Sequence, residues 1–261
     1  MLIEVTDKKI LEQIENARAI IESDPDILNR IGSLAEFKRI FGFRLFRLGN
    51  KKLRNSKKVK FLIWNIPAVS TCPFATADCI RLCYAKRIER YETPRNFRAR
   101  NYLLSLESWF EKLVICELRL QLNTRGFKNA EFVFVRIHES GDFYSLDYLL
   151  KWTRIADYFL YDSRIFFGLY TKSFPFFIGL DLPRNMTPSA SLWDDTPEEQ
   201  KALVADLVKN GWQVYTADTA EGIAKRRASG NKFHKCSCTD CGKCAYCYKP
   251  HKGTETVVEI H

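Results

Sequence analysis

Two short segments of the chain contain eight of its nine cysteines. The first segment holds Cys72, Cys79 and Cys83, and the second holds Cys236, Cys238, Cys241, Cys244 and Cys247. Such spacings are typical of metal sites, because an iron–sulfur cluster or a zinc ion needs three or four thiolates that converge on one point. An odd count and tight spacing disfavour pairwise disulfides, so we expect metal ligands at both segments.

The first cysteine segment directly follows a predicted strand, which favours a reactive site over a structural one. Three thiolates there can bind three irons of a [4Fe-4S] cluster and leave the fourth iron open. The alternatives are zinc with a fourth ligand from elsewhere, and three buried cysteines without metal. We expect the cluster, and we expect nearby basic residues to lower the pKa of these thiols.

The second cysteine segment offers five sulfurs within twelve residues, with His234 and His251 beside it. Four of these groups can bind one metal site, and either histidine can replace a cysteine. The spacing predicts metal binding but does not choose between structural zinc and a second iron–sulfur cluster.

Polar residues at the ends of later predicted strands could complete a site. Asp142 could bind a ligand amine or a ribose hydroxyl or act as a base or nucleophile, and its alternative role is a helix N-cap. His138 is as consistent with a packed core residue as with a catalytic one, and Lys172 could contact a carboxylate or phosphate. The predicted catalytic residues are Asp142, His138 and Lys172, and the predicted cofactor-binding residues are Ser140, Gly141, Asp142 and Asp218.

Alternating strands and helices must position these residues. Hydrophobic periodicity predicts strands over 59–66, 132–137, 165–170, 185–191, 212–216 and 257–260, and helices over 3–22, 33–40, 95–122, 146–158, 196–209 and 219–227. This α/β pattern predicts a mainly parallel sheet, which is either open or part of a complete or partial (β/α) barrel. In each case, the loops after the carboxyl ends of the strands form the site.

Composition divides the chain into three predicted regions. Residues 1–58 form a helical, basic N-terminal extension, residues 59–230 form an α/β barrel-like catalytic core, and residues 231–261 form a Cys-rich metal-binding tail. We find no internal repeat and no low-complexity segment.

A formal net charge of +10 predicts a polyanionic partner. Ten lysines and arginines lie within residues 38–60, and seven lie within 81–100. We expect a nucleic acid or nucleotide, with a solvated basic face as the alternative. The chain has neither a signal peptide pattern nor an apolar run long enough to span a bilayer, so we expect a cytoplasmic protein without a membrane partner.

The order of the motifs resembles the bacteriophage gene product 88 family over roughly residues 60–261. The motifs are Cys-Pro-x-Ala-Thr-x-x-Cys-x-x-x-Cys-Tyr-Ala from Cys72, Arg-x-His-x-Ser-Gly-Asp from Arg136, Tyr-Thr-Lys-Ser from Tyr170, and Cys-Gly-x-Cys-x-x-Cys from Cys241. The resemblance implies a viral or prophage source rather than a particular reaction.

Two enzyme families show more distant similarity. Radical S-adenosylmethionine enzymes also place three cysteines after the first barrel strand and a small, acidic motif after the second, although their usual cysteine spacing is Cys-x3-Cys-x2-Cys. Zinc-bearing tRNA-guanine transglycosylases are similar in the Cys236-x-Cys238-x-x-Cys241 spacing. These resemblances imply an iron–sulfur enzyme that uses S-adenosylmethionine to modify a nucleic acid or nucleotide, or a transglycosylase that exchanges bases in DNA or RNA. A nucleic-acid-binding protein with purely structural metals is the third hypothesis.

Overall fold

An eight-stranded sheet forms the centre of the protein. The computed structural model describes residues 4–236, 239–244, 246–248 and 255–259. The strands are β1 (Arg47–Leu48), β2 (Val59–Trp64), β3 (Phe132–Ile137), β4 (Ile165–Thr171), β5 (Met186–Leu192), β6 (Gln213–Asp218), β7 (His234–Lys235) and β8 (Glu255–Glu259). Their order is β1-β2-β3-β4-β5-β6-β8-β7, and among the strand pairs of these described residues only β1–β2 is antiparallel.

Helices lie before and between the strands, and most of them cover one face of the sheet. They are α1 (Lys8–Ser23), α2 (Ile27–Arg30), α3 (Leu34–Phe41), α4 (Ala77–Arg81), α5 (Tyr84–Ile88), α6 (Glu92–Leu106), α7 (Phe110–Leu122), α8 (Leu146–Tyr158), α9 (Glu198–Lys209), α10 (Ala220–Ala228) and α11 (Cys241–Cys244). Alternate strand side chains, such as Leu62, Val135 and Phe167, are buried in one core with α1, α2, α3, α6, α7, α8 and α9. The side chains between them therefore point to the opposite face.

The sequence patterns predicted most elements with nearly correct limits. β3 and α8 begin and end at the predicted residues. One exception is the single helix expected over 95–122, which is divided into α6 and α7. The ammonium group of the buried Lys151 donates to the carbonyl oxygens of Ser105 (3.0 Å) and Glu107 (3.4 Å), so these carbonyls have a partner at the end of α6.

The mixed α/β class with a mostly parallel sheet is confirmed. A complete barrel is not confirmed. Over the described residues, β1 and β7 lie at the two edges of the sheet, and no strand pairing joins them. Regions 1–58 and 231–261 both contribute strands to this sheet, as β1 and as β7 and β8. None of the helices that the structure describes combines the length and apolarity needed to cross a membrane.

Tyr248 from the cysteine-rich tail packs onto the sheet face opposite the helices. Its side chain is 3% exposed, and its ring centroid lies 5.3 Å from that of Phe61 and 5.0 Å from that of Phe134. Directly below it, a Cβ atom on Gly168 would lie 2.6 Å from Cδ1 of Tyr248. Strand β4 therefore needs a glycine at this position for the tail to pack against the sheet.

We predict that Gly168→Ala lowers the free energy of unfolding by about 1–3 kcal/mol, because the added methyl group overlaps the Tyr248 ring. Urea unfolding measures the difference. Gly126→Ala is the matched control, since a Cβ atom there has no neighbour within 4 Å. If both variants are equally stable, the Tyr248 ring does not occupy the space above Gly168.

Candidate functional site

A cleft of about 460 Å³ opens at the carboxyl ends of the parallel strands, on the sheet face opposite α6, α7 and α8. It brings together residues from both cysteine segments. Cys72, Cys79 and Cys83 line it, and so do Cys236, Cys241 and Cys247. The remaining lining includes Arg136, His138, Ser140, Gly141, Asp142, Tyr170, Lys172, Trp193 and Tyr215. The expectation that polar strand-end loops meet at one edge of the sheet agrees with this geometry.

A buried asparagine holds the first cysteine segment beside the next strand end. Asn65 follows β2 and is 1% exposed. Its Oδ1 accepts hydrogen bonds from the backbone N–H groups of Glu139 (2.7 Å) and Ser140 (2.9 Å). The loop after β2 is thereby attached to the turn after β3, which faces it across the cleft.

Two short helices, which the sequence did not predict, set the positions of the thiols. Thr76 caps α4, and its Oγ1 accepts from the backbone N–H of Cys79 at 3.3 Å. Cys83 caps α5, and its Sγ accepts from the N–H of Lys86 at 3.4 Å. The side chain of Cys83 is therefore fixed at a helix N-terminus on the edge of the cleft.

Burial controls the acidity of these thiols. It raises the pKa of Cys72 and of Cys79, and the neighbouring thiols raise both further. Lys172 opposes this effect at Cys79 without outweighing it. The expectation that basic residues lower these pKa values is therefore wrong for both groups. Without a bound cation, Cys72 and Cys79 are protonated at neutral pH.

The tail cysteines lie near one another and near a histidine. Sγ of the exposed Cys244 lies 3.8 Å from Nε2 of His234, and burial raises the pKa of Cys241 to about 11. Cys238 and His251 lie outside the described residues. Within the part of the chain that the structure describes, no group of three or more His, Cys, Asp or Glu side chains has a geometry that could hold a metal ion.

The Ser140–Asp142 turn lies tightly against the loop after β2. Gly141 has φ +84°, and a Cβ atom there would lie 2.3 Å from Cγ1 of Ile66. Ser140 Oγ donates to the Ile66 carbonyl oxygen at 3.0 Å. Only glycine combines this backbone conformation with this close approach, so the turn has a structural need for Gly141.

Asp142 connects the end of β3 to the end of β4. Its carboxylate accepts from the backbone N–H groups of Phe143 (2.8 Å) and Lys172 (2.8 Å) and from Oγ1 of Thr171 (2.6 Å). Burial raises the pKa of Asp142, and these hydrogen bonds oppose that change. Ser145, not Asp142, caps α8, so the helix-cap alternative is wrong.

The His138 ring lies in the aromatic core beneath the cleft. Its Nε2 is 2.9 Å from Oη of Tyr148, and its ring centroid lies 4.8 Å from that of Phe143. Burial, together with the charge of Arg136, lowers the pKa of His138 to about 3. This environment favours the packed-core interpretation that the sequence left open.

Lys172 and Arg136 bring positive charge to the cleft. Nζ of Lys172 donates to Oγ of Ser191 at 2.8 Å, and burial lowers the pKa of this lysine. Arg136 is not among the site residues predicted from the sequence, although an arginine inside the apolar strand 132–137 is a detectable signal. Its guanidinium carbon lies 3.5 Å from the ring centroid of Tyr170.

Asp218 is engaged away from the cleft opening. Its Oδ2 accepts from Nε of Arg226 on α10 at 2.7 Å, and Nη1 of the same arginine lies 3.1 Å from Oε1 of Glu255 on β8. The adjacent residue, Ala217, lines the cleft. The contacts of Asp218 connect β6, α10 and β8.

Strained backbone occurs in the same two loops. Val69 (φ 66°) and His138 (φ 65°) are the non-glycine residues with positive φ in the described part of the chain. Val69 precedes the first cysteine, and His138 follows β3. Such conformations cost about 1–3 kcal/mol each and often occur at functional sites.

Comparison with known proteins identifies a family but no characterised relative. The family model described as Gene product 88 matches residues 44–253, which confirms the resemblance seen in the motifs. No curated protein and no solved structure matches the chain.

We predict that His138 makes the protein sensitive to acid. The folded protein keeps the His138 ring neutral down to about pH 3, whereas in the unfolded chain the ring takes up a proton near pH 6.5. Because only the unfolded chain binds this proton, the free energy of unfolding decreases as the pH falls below 6.5. Between pH 7 and pH 5 the wild-type protein should lose about 2 kcal/mol more stability than His138→Asn, as measured by urea unfolding. Asparagine is chosen because it tolerates positive φ. Equal losses in both proteins would show that the folded ring titrates near neutral pH.

Proposed function

We propose that this chain, which belongs to the gene product 88 family, is an iron–sulfur enzyme that modifies a nucleic acid or nucleotide. One observation carries the proposal: Cys72, Cys79 and Cys83 follow the first parallel strand and share a cleft with the Ser140–Asp142 turn, which follows the next. Radical S-adenosylmethionine enzymes are similar in the placement of three cysteines and a small acidic motif.

The strand order supports a partial (β/α) barrel as the scaffold. β2, β3, β4, β5, β6 and β8 are parallel and stand next to one another in chain order. Right-handed crossovers between such neighbours place the connecting helices on one face, as in a section of a barrel, and α6, α7, α8 and α9 share one core here. The inner face of that section carries the cleft, with strand ends at its rim.

The donor set of the first cysteine segment suits an iron–sulfur cluster. Three soft sulfur donors lie in one cleft, and burial holds Cys72 and Cys79 as thiols until a cation stabilises the thiolate form. The loop would have to bring the three sulfurs together. A cluster bound by these residues would supply one-electron chemistry, with S-adenosylmethionine as the proposed cosubstrate.

The charges and rings of the cleft support a nucleotide as the substrate unit. Neither Arg136 nor Lys172 forms an ion pair with a carboxylate of the described residues, so an anionic ligand would provide the missing partner. Nζ of Lys172 lies 5.6 Å from the Trp193 ring centroid, and the rings of Tyr170 and Tyr215 lie 4.7 Å apart. Phosphate groups match the cations, and a base matches the aromatic surface.

The chain's own residues would hold this ligand in place. Asp142 fixes the backbone N–H of Lys172, which places the Lys172 side chain beside Ser191. Arg136 is held by the Tyr170 ring and by its Nε donating to the His138 carbonyl oxygen at 3.2 Å. These cations are therefore pre-organised before a substrate enters.

We predict that protein purified without oxygen is brown and contains iron and sulfide, with a broad absorption band near 400 nm, which is roughly the range of thiolate–iron clusters. Cys79→Ala should remove about four irons per chain, because one of three cluster ligands is lost. Cys116→Ala is the control, since Cys116 is buried in the helix-side core and should leave the iron content unchanged.

Iron analysis and circular dichroism together distinguish the competing hypotheses. A colourless protein that contains only zinc would contradict the proposal and favour the transglycosylase-like or structural-metal hypothesis. If Cys79→Ala keeps its iron, the first cysteine segment does not bind the cluster. If it unfolds instead, the iron content of Cys83→Ala provides the same test at the edge of the cleft.

A further inference from the structure

We propose that the surface of α4 and α5 binds the backbone of a single-stranded nucleic acid next to the cleft. We call this surface the basic groove, and its lining is Ile80, Arg81, Cys83, Lys86, Arg87 and Arg90. The inference rests on the proposed function, because it identifies the substrate as a nucleic acid strand rather than a free nucleotide.

The charge of the basic groove is exposed and largely uncompensated. Lys86, Arg87 and Arg90 are exposed and take part in no ion pair with the described residues, whereas Arg81 pairs with Asp78 at 2.8 Å. Three cations on one short surface provide the electrostatic complement of consecutive phosphates.

Exposed aromatic rings accompany these cations. Tyr84 is 49% exposed and Tyr91 is 56% exposed. The Arg90 guanidinium carbon lies 4.8 Å from the Tyr91 ring centroid, and its Nη2 donates to Oη of Tyr91 at 2.8 Å. Cations interleaved with exposed rings are typical of surfaces that bind single strands, because unpaired bases stack on the rings.

The basic groove and the cleft are adjacent. Cys83 lines both, and Tyr84 lines the cleft while its Oη donates to the Glu139 carbonyl oxygen at 2.7 Å. A strand bound along the basic groove therefore passes the edge of the cleft, where an unpaired base can enter. A duplex would first have to unpair and extrude that base, which favours a single strand as the occupant.

The test uses the full-length protein and fluorescence anisotropy with a labelled 20-nucleotide single strand, its RNA equivalent and the matching duplex. We expect the triple variant Lys86→Ala/Arg87→Ala/Arg90→Ala to bind the single strand at least about tenfold more weakly. The slope of the logarithm of the binding constant against the logarithm of the salt concentration should become smaller by about two, because each lost phosphate contact contributes about 0.7. Tyr91→Ala should weaken single-strand binding about fivefold or more without changing the salt dependence. The DNA and RNA probes show which sugar the surface prefers.

The control removes three other exposed cations, Lys112, Arg125 and Lys128, which lie on α7 and on the loop before β3. Similar weakening by both triple variants would mean that only the overall charge matters, which overturns the proposal. Equal or tighter binding of the duplex, or no effect of Tyr91→Ala, overturns the choice of a single strand. Since the triple variant keeps all cluster ligands, its iron content tests the proposed function separately from strand binding.

Discussion

Hydrogen bonds between consecutive strand ends are the constraint on which the cleft depends. The Asp142 carboxylate accepts hydrogen bonds from Thr171, which ends β4, and from Lys172, which follows it, and Asn65 Oδ1 accepts hydrogen bonds from the two residues that precede Gly141. These buried side chains hold the loops after β2, β3 and β4 in one arrangement. In a site of low dielectric such bonds are strong, and leaving any of these donors without a partner would be costly.

The sheet face that carries the cleft has an apolar part and a polar part, which follow each other along the strands. Toward their amino ends it is apolar, where Phe61, Phe134 and Tyr248 pack together with Leu53. Toward their carboxyl ends it is polar and carries Arg136, Ser191 and Tyr215. The tail therefore covers the apolar part, and the polar part remains open as a cleft. This division explains why the cleft lies at the ends of the strands rather than across the sheet.

Local sequence determined the elements and their order. The apolar run 132–137 and the helical periodicity of 146–158 depend on neighbouring residues only, and both elements formed with the predicted limits. The position of the polar motifs after strand ends was also sufficient to place Cys72, Asp142 and Lys172 at one edge of a parallel sheet. Family membership followed from the same motifs, because their order and spacing are properties of the chain alone.

The tertiary structure decided what each of these side chains contacts. The His138 ring contacts Tyr148 on α8, Asp218 pairs with Arg226 on α10, and Arg136 lies against Tyr170 of the neighbouring strand, so these contacts depend on how helices and strands pack. Burial also set the direction of the thiol pKa shifts, since desolvation raises the pKa of Cys72 and of Cys79, and at Cys79 it outweighs the charge of Lys172. The spacing of residues in the sequence indicates which side chains can lie close together. Their burial, hydrogen bonds and nearby charges, which set their pKa values, are determined only when the sheet assembles.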